Sequence, residues 1–209
     1  MNAKELLHRY LDECPLIAIL RGVRPDEAEA IGDAVFESGI RIIEVPLNSP
    51  DPFKSIELLA GKYGDKALVG AGTVLDPADV ARVHDAGGRI IVSPDTNAEV
   101  IAATVSAQIV SSPAYFTPSE AFAALRAGAT ALKLFPAEAA SPAVLKAQLA
   151  ILPKGITVLI VGGVGPDNMR PWLDAGASGF GLGSSVYKAG QSPEQTREKA
   201  RACVAAVRS

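Results

Sequence analysis

Ala127-Gly128-Ala129-Thr130-Ala131-Leu132-Lys133-Leu134-Phe135 joins a small-residue-and-glycine step, which ends a helix, to an apolar run that reads as a buried strand. The same step recurs at Ser38-Gly39-Ile40-Arg41-Ile42-Ile43, at Ala86-Gly87-Gly88-Arg89-Ile90-Ile91 and at Ala175-Gly176-Ala177-Ser178-Gly179-Phe180. Its glycines are 48, 41 and 48 residues apart, and each interval holds two units of roughly the 20 to 25 residues that a compact strand-helix repeat needs. The intervening strands are Leu68-Val69-Gly70-Ala71-Gly72-Thr73, Gln108-Ile109-Val110-Ser111-Ser112 and Thr157-Val158-Leu159-Ile160-Val161, and Leu16-Ile17-Ala18-Ile19-Leu20 is the first of the series.

Helix starts fall between these strands. Thr117-Pro118-Ser119-Glu120 and Ser192-Pro193-Glu194-Gln195 carry a capping hydroxyl, a proline in the first turn and Glu or Gln at the third position. Arg24-Pro25-Asp26, Asp76-Pro77 and Ser141-Pro142 open further helices, and Ala28, Ile31 and Val35 space one apolar face. Continuous apolar strands alternating with amphipathic helices predict a parallel sheet covered on both sides. Eight such units predict a compact (β/α)8 barrel of the TIM type rather than an open doubly wound sheet. The segment from Glu5 to Leu11 is expected to add an N-terminal helix across the barrel bottom. No linker divides the chain, so residues 1–209 are read as one barrel domain.

Composition agrees with a layered aliphatic core. The 209 residues are 48% hydrophobic but only 5% aromatic, and 19 Gly with 15 Pro supply the turns of a repeating unit. Twenty basic against 23 acidic residues give a formal net charge of −3 without a dense basic cluster, which argues against nucleic acid and anionic membrane as partners. No apolar run reaches the roughly 18 residues of a membrane span, and Met1 to Cys14 lacks the pattern of a secretory signal. Cys14 and Cys203 form no pairing framework, which suits a reducing compartment, and the expected location is the cytoplasm. The two histidines, His8 and His84, fall on helices without carboxylates at ligand spacing, so no metal is expected and a surface position is expected for each.

In a barrel of this kind the active site lies at the C-terminal strand ends, so ionisable residues late in apolar strands carry the functional signal. Lys133 stands between Leu132 and Leu134, with Phe135 following; desolvation there favours the neutral amine that can attack a ketone. The alternative is a lysine held in an ion pair, or one whose head reaches water past its stem. Glu44, late in Ile42-Ile43-Glu44-Val45-Pro46, suits general acid and base work if its pKa is raised by burial, and equally suits pairing with Lys133 or Arg21. Arg21, after Ile17-Ala18-Ile19-Leu20, suits a fork on a substrate carboxylate or an exposed strand-end charge. Glycine-rich turns at Gly162-Gly163-Val164-Gly165 and Gly181-Leu182-Gly183-Ser184-Ser185 follow strands seven and eight, where barrel phosphate sites form; a helix after the second turn is expected to add its dipole.

These residues resemble a known family. From Pro15 to Arg208 the chain is similar to the 2-keto-3-deoxy-6-phosphosugar aldolases, through Gly70-Ala71-Gly72-Thr73-Val74, Leu132-Lys133-Leu134-Phe135-Pro136-Ala137, Gly162-Gly163-Val164 and Glu44 in its strand. The resemblance implies a lyase without cofactor that forms a Schiff base on Lys133 and moves protons with Glu44. It further implies that Thr73 holds the keto acid, Pro94 orients the acid-base step, and Gly162, Gly163 and Ser184 bind phosphate. The implied ligands are a phosphorylated 2-keto-3-deoxy sugar acid, pyruvate and glyceraldehyde 3-phosphate, and the implied assembly is a homotrimer.

Ile19-Leu20-Arg21-Gly22-Val23 and Glu44-Val45-Pro46-Leu47-Asn48-Ser49-Pro50 resemble the 6-phosphogalactonate type rather than the gluconate type. In the latter an arginine commonly stands where this chain has Asn48, which leaves Arg21 as the carboxylate contact. Pro113-Ala114 stands where both types usually have Pro-Gly. The same reaction on the gluconate epimer, another phosphosugar reaction on this barrel, and non-catalytic phosphometabolite binding are the competing readings.

Overall fold

The computed structural model describes residues 1–209. Helix α1 (Ala3–Glu13) precedes β1 (Leu16–Ile19), and the chain then alternates through α2 (Pro25–Glu37), β2 (Ile42–Pro46), α3 (Pro52–Tyr63), β3 (Leu68–Gly72), α4 (Pro77–Asp85), β4 (Ile90–Val92) and α5 (Ala98–Ser106). It continues with β5 (Val110–Ser112), β6 (Ala114–Tyr115), α6 (Pro118–Arg126), β7 (Leu132–Leu134), α7 (Pro142–Leu149), β8 (Val158–Val161), α8 (Met169–Asp174), β9 (Gly179–Leu182) and α9 (Pro193–Arg208). The predicted boxes at Thr117–Glu120 and Ser192–Gln195 are both formed, and the four repeat glycines, Gly39, Gly87, Gly128 and Gly176, all have positive φ at helix ends.

Every strand pair is parallel, in the order β5-β4-β3-β2-β1-β9-β8-β7-β6. The two ends of that order, β5 and β6, are halves of one stave interrupted at Pro113, which has no N–H to donate. Around the break the pairing runs both ways: Ala114 N–H donates to the Ser93 carbonyl at 3.1 Å, and Lys133 N–H donates to the Pro113 carbonyl at 2.9 Å. The sheet therefore closes, and the nine strands make the expected barrel of eight staves.

Period-two alternation sorts the strand residues into two cores. Outward side chains such as Leu16, Ala18, Ile43, Val69, Leu132, Ile160 and Phe180 pack against the helices, with Ile31, Val35, Leu59 and Trp172 among their partners. Inward side chains Ile17, Ile42, Leu68, Ile90, Val110, Ala131 and Leu159 form a second cluster with Leu7, Tyr10 and Leu11 of α1. Thus α1 plugs the barrel bottom, as its sequence suggests, and its start is fixed by an Asn2–Glu5 capping box. His8, on the same helix, is not a free surface residue: its Nε2 lies 2.9 Å from Thr157 Oγ1 at the bottom rim, whereas His84 is partly exposed.

Higher in the barrel the inward positions change character. Gly70 and Gly72 on β3, and Gly181 on β9, follow the inward register and contribute no side chain. A Cβ on Gly72 would overlap the Glu44 carboxylate. The lower half is filled with branched side chains and the upper half is hollow, which places a cavity over a rigid floor.

Leu7 is wholly buried in that floor. Leu7→Ala is expected to lower the free energy of unfolding by about 3 kcal/mol through lost burial and a residual cavity, as read from urea denaturation midpoints.

Candidate active site

The hollow opens at the C-terminal strand ends as a cavity of about 510 Å³. All eight residues singled out by the sequence line it: Arg21, Glu44, Thr73, Pro94, Lys133, Gly162, Gly163 and Ser184. They come from seven of the eight staves, so no short segment could assemble the site alone.

Lys133 is only 7% exposed, and its Nζ lies 4.7 Å from the centroid of the Phe135 ring. Burial holds its pKa below the ordinary lysine range; Glu44 opposes that shift and Arg21 adds to it. Glu44 is 2% exposed, and burial raises its pKa to about 7 against the lowering influence of Lys133 and Arg21. The Glu44 Oε2 atom is buried without a hydrogen-bond partner. The two groups thus sense each other's charge without a contact ion pair, with the Lys133 amine pushed toward its neutral form and the Glu44 carboxyl poised near pH 7.

Arg21 follows β1 and is exposed at the mouth. Its Nη1 donates to Asn48 Oδ1 at 2.7 Å and its Nη2 to Thr73 Oγ1 at 3.4 Å. Thr73 directly follows β3 with φ of +56°, a left-handed conformation that a β-branched residue adopts at a cost of about 1–3 kcal/mol. That strain sits where three staves deliver polar groups to one corner of the cavity.

The opposite side is made of backbone. Gly162 and Gly163 both have positive φ, and Asn168 ties this turn by accepting from Gly165 N–H and donating to the Gly163 carbonyl, each at 2.9 Å. The N–H groups of Gly163, Ser184 and Ser185 have no partner within the chain, which leaves donors for an anion. One expectation is corrected here. Gly183–Tyr187 is a single turn, with Val186 and Tyr187 N–H groups both donating to the Gly183 carbonyl, and the next helix, α9, begins only at Pro193. No helix dipole points at Ser184, because Gly190 and Pro193 delay the helix beyond the rim.

The turn Gly181–Ser185 picked out by the sequence reaches the cavity through Gly181, Gly183, Ser184 and Ser185; sequence reasoning did not single out Ile19 and Val161, which strand alternation could have placed inward, or Glu138 and Asn168, which lie on turns without period. Ala114 is buried, pairs with Lys133 and accepts from Thr96 Oγ1 at 2.6 Å; it braces the stave rather than lining the cavity. Among the aromatic residues, Tyr115 and Trp172 are core, Phe53 lies under the Arg82 guanidinium, and Phe116 is exposed.

Fold and site together define a barrel protein equipped with a desolvated amine and a desolvated carboxyl, the groups needed for covalent chemistry on a carbonyl. The chain belongs to the KDPG and KHG aldolase family, whose model matches residues 7–201. It is 50% identical over 200 residues to 2-dehydro-3-deoxy-6-phosphogalactonate aldolase of Escherichia coli K12, covering 96% of this chain and 98% of that one. It is 28% identical over 172 residues to the KHG/KDPG aldolase of the same organism, covering 82% and 80%.

Among solved structures, a native KDPGal structure superposes with a TM-score of 0.92 at 49% identity, covering 94% of this chain and 95% of that one. KDPG aldolase of Legionella pneumophila, in which pyruvate is captured as a covalent carbinolamine, superposes at 0.83 with 26% identity, covering 99% and 98%. A designed protein cage built by fusing symmetric oligomeric domains superposes at 0.91 with 50% identity, covering 93% of this chain and 72% of that one.

The raised Glu44 pKa has a measurable consequence. A carboxyl that binds its proton more tightly when folded stabilises the fold fully below its unfolded value of about 4.5, and this contribution is lost as pH rises through about 7. Between those limits the wild type is expected to lose about 3 kcal/mol to Glu44 ionisation. Glu44→Gln should remove this step from the pH dependence of chemical denaturation and gain relative stability above pH 7.

Proposed function

We propose that the protein is a class I aldolase that cleaves 2-dehydro-3-deoxy-6-phosphogalactonate to pyruvate and D-glyceraldehyde 3-phosphate. The observation that carries this reading is the desolvated Lys133 amine sharing one cavity with a Glu44 carboxyl poised near pH 7. The galactonate epimer is preferred because the relative of that name is 50% identical, against 28% for the KHG/KDPG enzyme of the same organism.

In this reading Lys133 Nζ adds to C2 of the keto acid, and loss of water from the carbinolamine gives an iminium. Glu44, directly or through a water, removes the C4 hydroxyl proton. The C3–C4 bond then breaks with its electron pair moving into the iminium, releasing the aldehyde and leaving an enamine. Glu44 returns a proton to C3, and hydrolysis frees pyruvate and the amine. Phe135 covers the amine and limits its hydration. Arg21 and Thr73 hold the carboxylate at one corner, Pro94 shapes the wall beside them, and the N–H groups around Gly162, Gly163 and Ser184 receive the phosphate. Binding the two anionic ends across the cavity fixes the reacting carbons between Lys133 and Glu44.

The reading also includes a homotrimer, with exposed apolar residues such as Phe116 and Leu75 available for contacts between copies. It places the protein in the cytoplasm, a location suited to its two buried free thiols, Cys14 and Cys203.

Borohydride reduction with pyruvate should add one covalent adduct, mapped by mass spectrometry to Lys133, and Lys133→Ala should lose both adduct and turnover. Active enzyme without an adduct overturns the imine mechanism. Glu44→Gln should still form the adduct while kcat falls by about 10² to 10⁴-fold, the usual worth of a general acid-base group. For the substrate, kcat/KM on the galactonate epimer should exceed that on the gluconate epimer by at least about tenfold, a transition-state difference of about 1.4 kcal/mol; equal values would remove the epimer assignment.

A further inference from the structure

The corner that carries Arg21 holds two residues with no part in the chemistry described above, Asn48 and Ser49. An exposed arginine is a poor fixed point, because its long stem keeps much rotamer freedom and its guanidinium must lie in one plane to meet a carboxylate as a fork. Here the freedom is removed at two levels. The backbone is fixed by Ser49, which is 7% exposed and whose Oγ accepts the Gly22 N–H at 2.9 Å, directly after Arg21. Ser49 is itself set by a turn in which its N–H donates to the Pro46 carbonyl at 2.9 Å. The head group is fixed by Asn48, whose Oδ1 accepts from Arg21 Nη1 at 2.7 Å, while Thr73 Oγ1 takes Nη2 from the β3 side.

The chemistry of the pair fixes its orientation. A guanidinium has no acceptor, so the Asn48 amide must turn its oxygen toward Arg21, leaving the NH₂ facing away. With five N–H donors on Arg21 and two engaged, donors remain for a ligand. An aspartate would hold Nη1 with the same geometry and more tightly, but it would also cancel the positive charge in advance. Asn48 supplies a hydrogen bond without a counter-charge.

We propose that Asn48 is a positioning residue of the carboxylate-binding corner: it holds the Arg21 guanidinium in place beside Thr73 and, being neutral, leaves its charge for the substrate carboxylate. This rests on the aldolase reading above and specifies which residue sets affinity at the keto-acid end. The effect is confined to that corner, because the phosphate end lies across the cavity and uses backbone donors.

The test uses pyruvate, which has the carboxylate and the ketone but no phosphate. In the full-length enzyme, the pyruvate concentration giving half-maximal borohydride trapping at Lys133 is measured for wild type, Asn48→Ala and Asn48→Asp. In parallel, KM for glyceraldehyde 3-phosphate is measured in the synthetic direction at saturating pyruvate. Asn48→Ala should raise the pyruvate concentration about threefold to tenfold, and Asn48→Asp by more than about tenfold, since the aspartate competes for the fork; KM for the phosphorylated aldehyde should change less than about twofold. An unchanged pyruvate dependence in Asn48→Asp, or pyruvate and aldehyde values that move together, would overturn the assignment. A wild type that turns over without any trapped adduct overturns the imine reading itself and the assignment with it, which separates the two failures.

Discussion

The structure depends on keeping an amine and a carboxyl dry in the same space without letting them touch. In a contact ion pair each would hold the other ionised, leaving Lys133 protonated and unable to attack a carbonyl. Separation in a low-dielectric cavity has the opposite effect: burial penalises both charges, lowering the lysine and raising the glutamate toward neutrality. The barrel enforces this because both side chains project inward from different staves, β2 and β7, whose positions are set by closed backbone pairing. Neither can move far without breaking a parallel ladder.

That dryness is maintained from below. Ile17, Ile42, Leu68, Ile90, Val110 and Leu159 fill the lower barrel, and α1 closes it with Leu7, Tyr10 and Leu11. Above this floor the β3 and β9 glycines remove side chains where volume is needed. The Gly72 position shows the coupling most directly, since any Cβ there would occupy the space of the Glu44 carboxylate. A filled half and a hollow half of one barrel therefore come from alternation of branched residues with glycine along the same inward register.

Much of this was legible in the sequence because it is periodic or chemically conspicuous. The glycine step before each strand, the proline-initiated helices and a lysine inside Leu132-Lys133-Leu134 are local signals, and the cavity gathers all eight residues they and the family resemblance picked out. The split stave was not legible, because Pro113 breaks the strand only in the sense that its two halves pair with different neighbours. The missing helix after Ser184 was misread because a glycine-rich turn followed by a helix is a strong pattern, and the chain extends the turn region to Pro193 first. Asn48 and Ser49 were legible as residues but not as partners of Arg21 and Gly22, since a bond across 27 positions leaves no trace in spacing.

In the proposed reading the two ends of the cavity bind anions in different ways, and the difference follows from what each does in that reaction. At the carboxylate end one guanidinium supplies charge and planar direction, and its entropy is reduced by neutral partners from β2 and β3 that do not compete for the charge. At the other end the donors are backbone N–H groups at Gly163, Ser184 and Ser185, with the Glu138 carboxylate beside Gly162 and the Lys199 ammonium 3.5 Å from the Ser184 carbonyl. In the proposed reading a phosphate held this way is gripped mainly by the geometry of the backbone donors. For the proposed reaction, which releases the phosphorylated aldehyde first and keeps the other fragment on Lys133, uncharged backbone donors at the leaving end and a charged fork at the retained end is the arrangement that favours turnover in the cleavage direction.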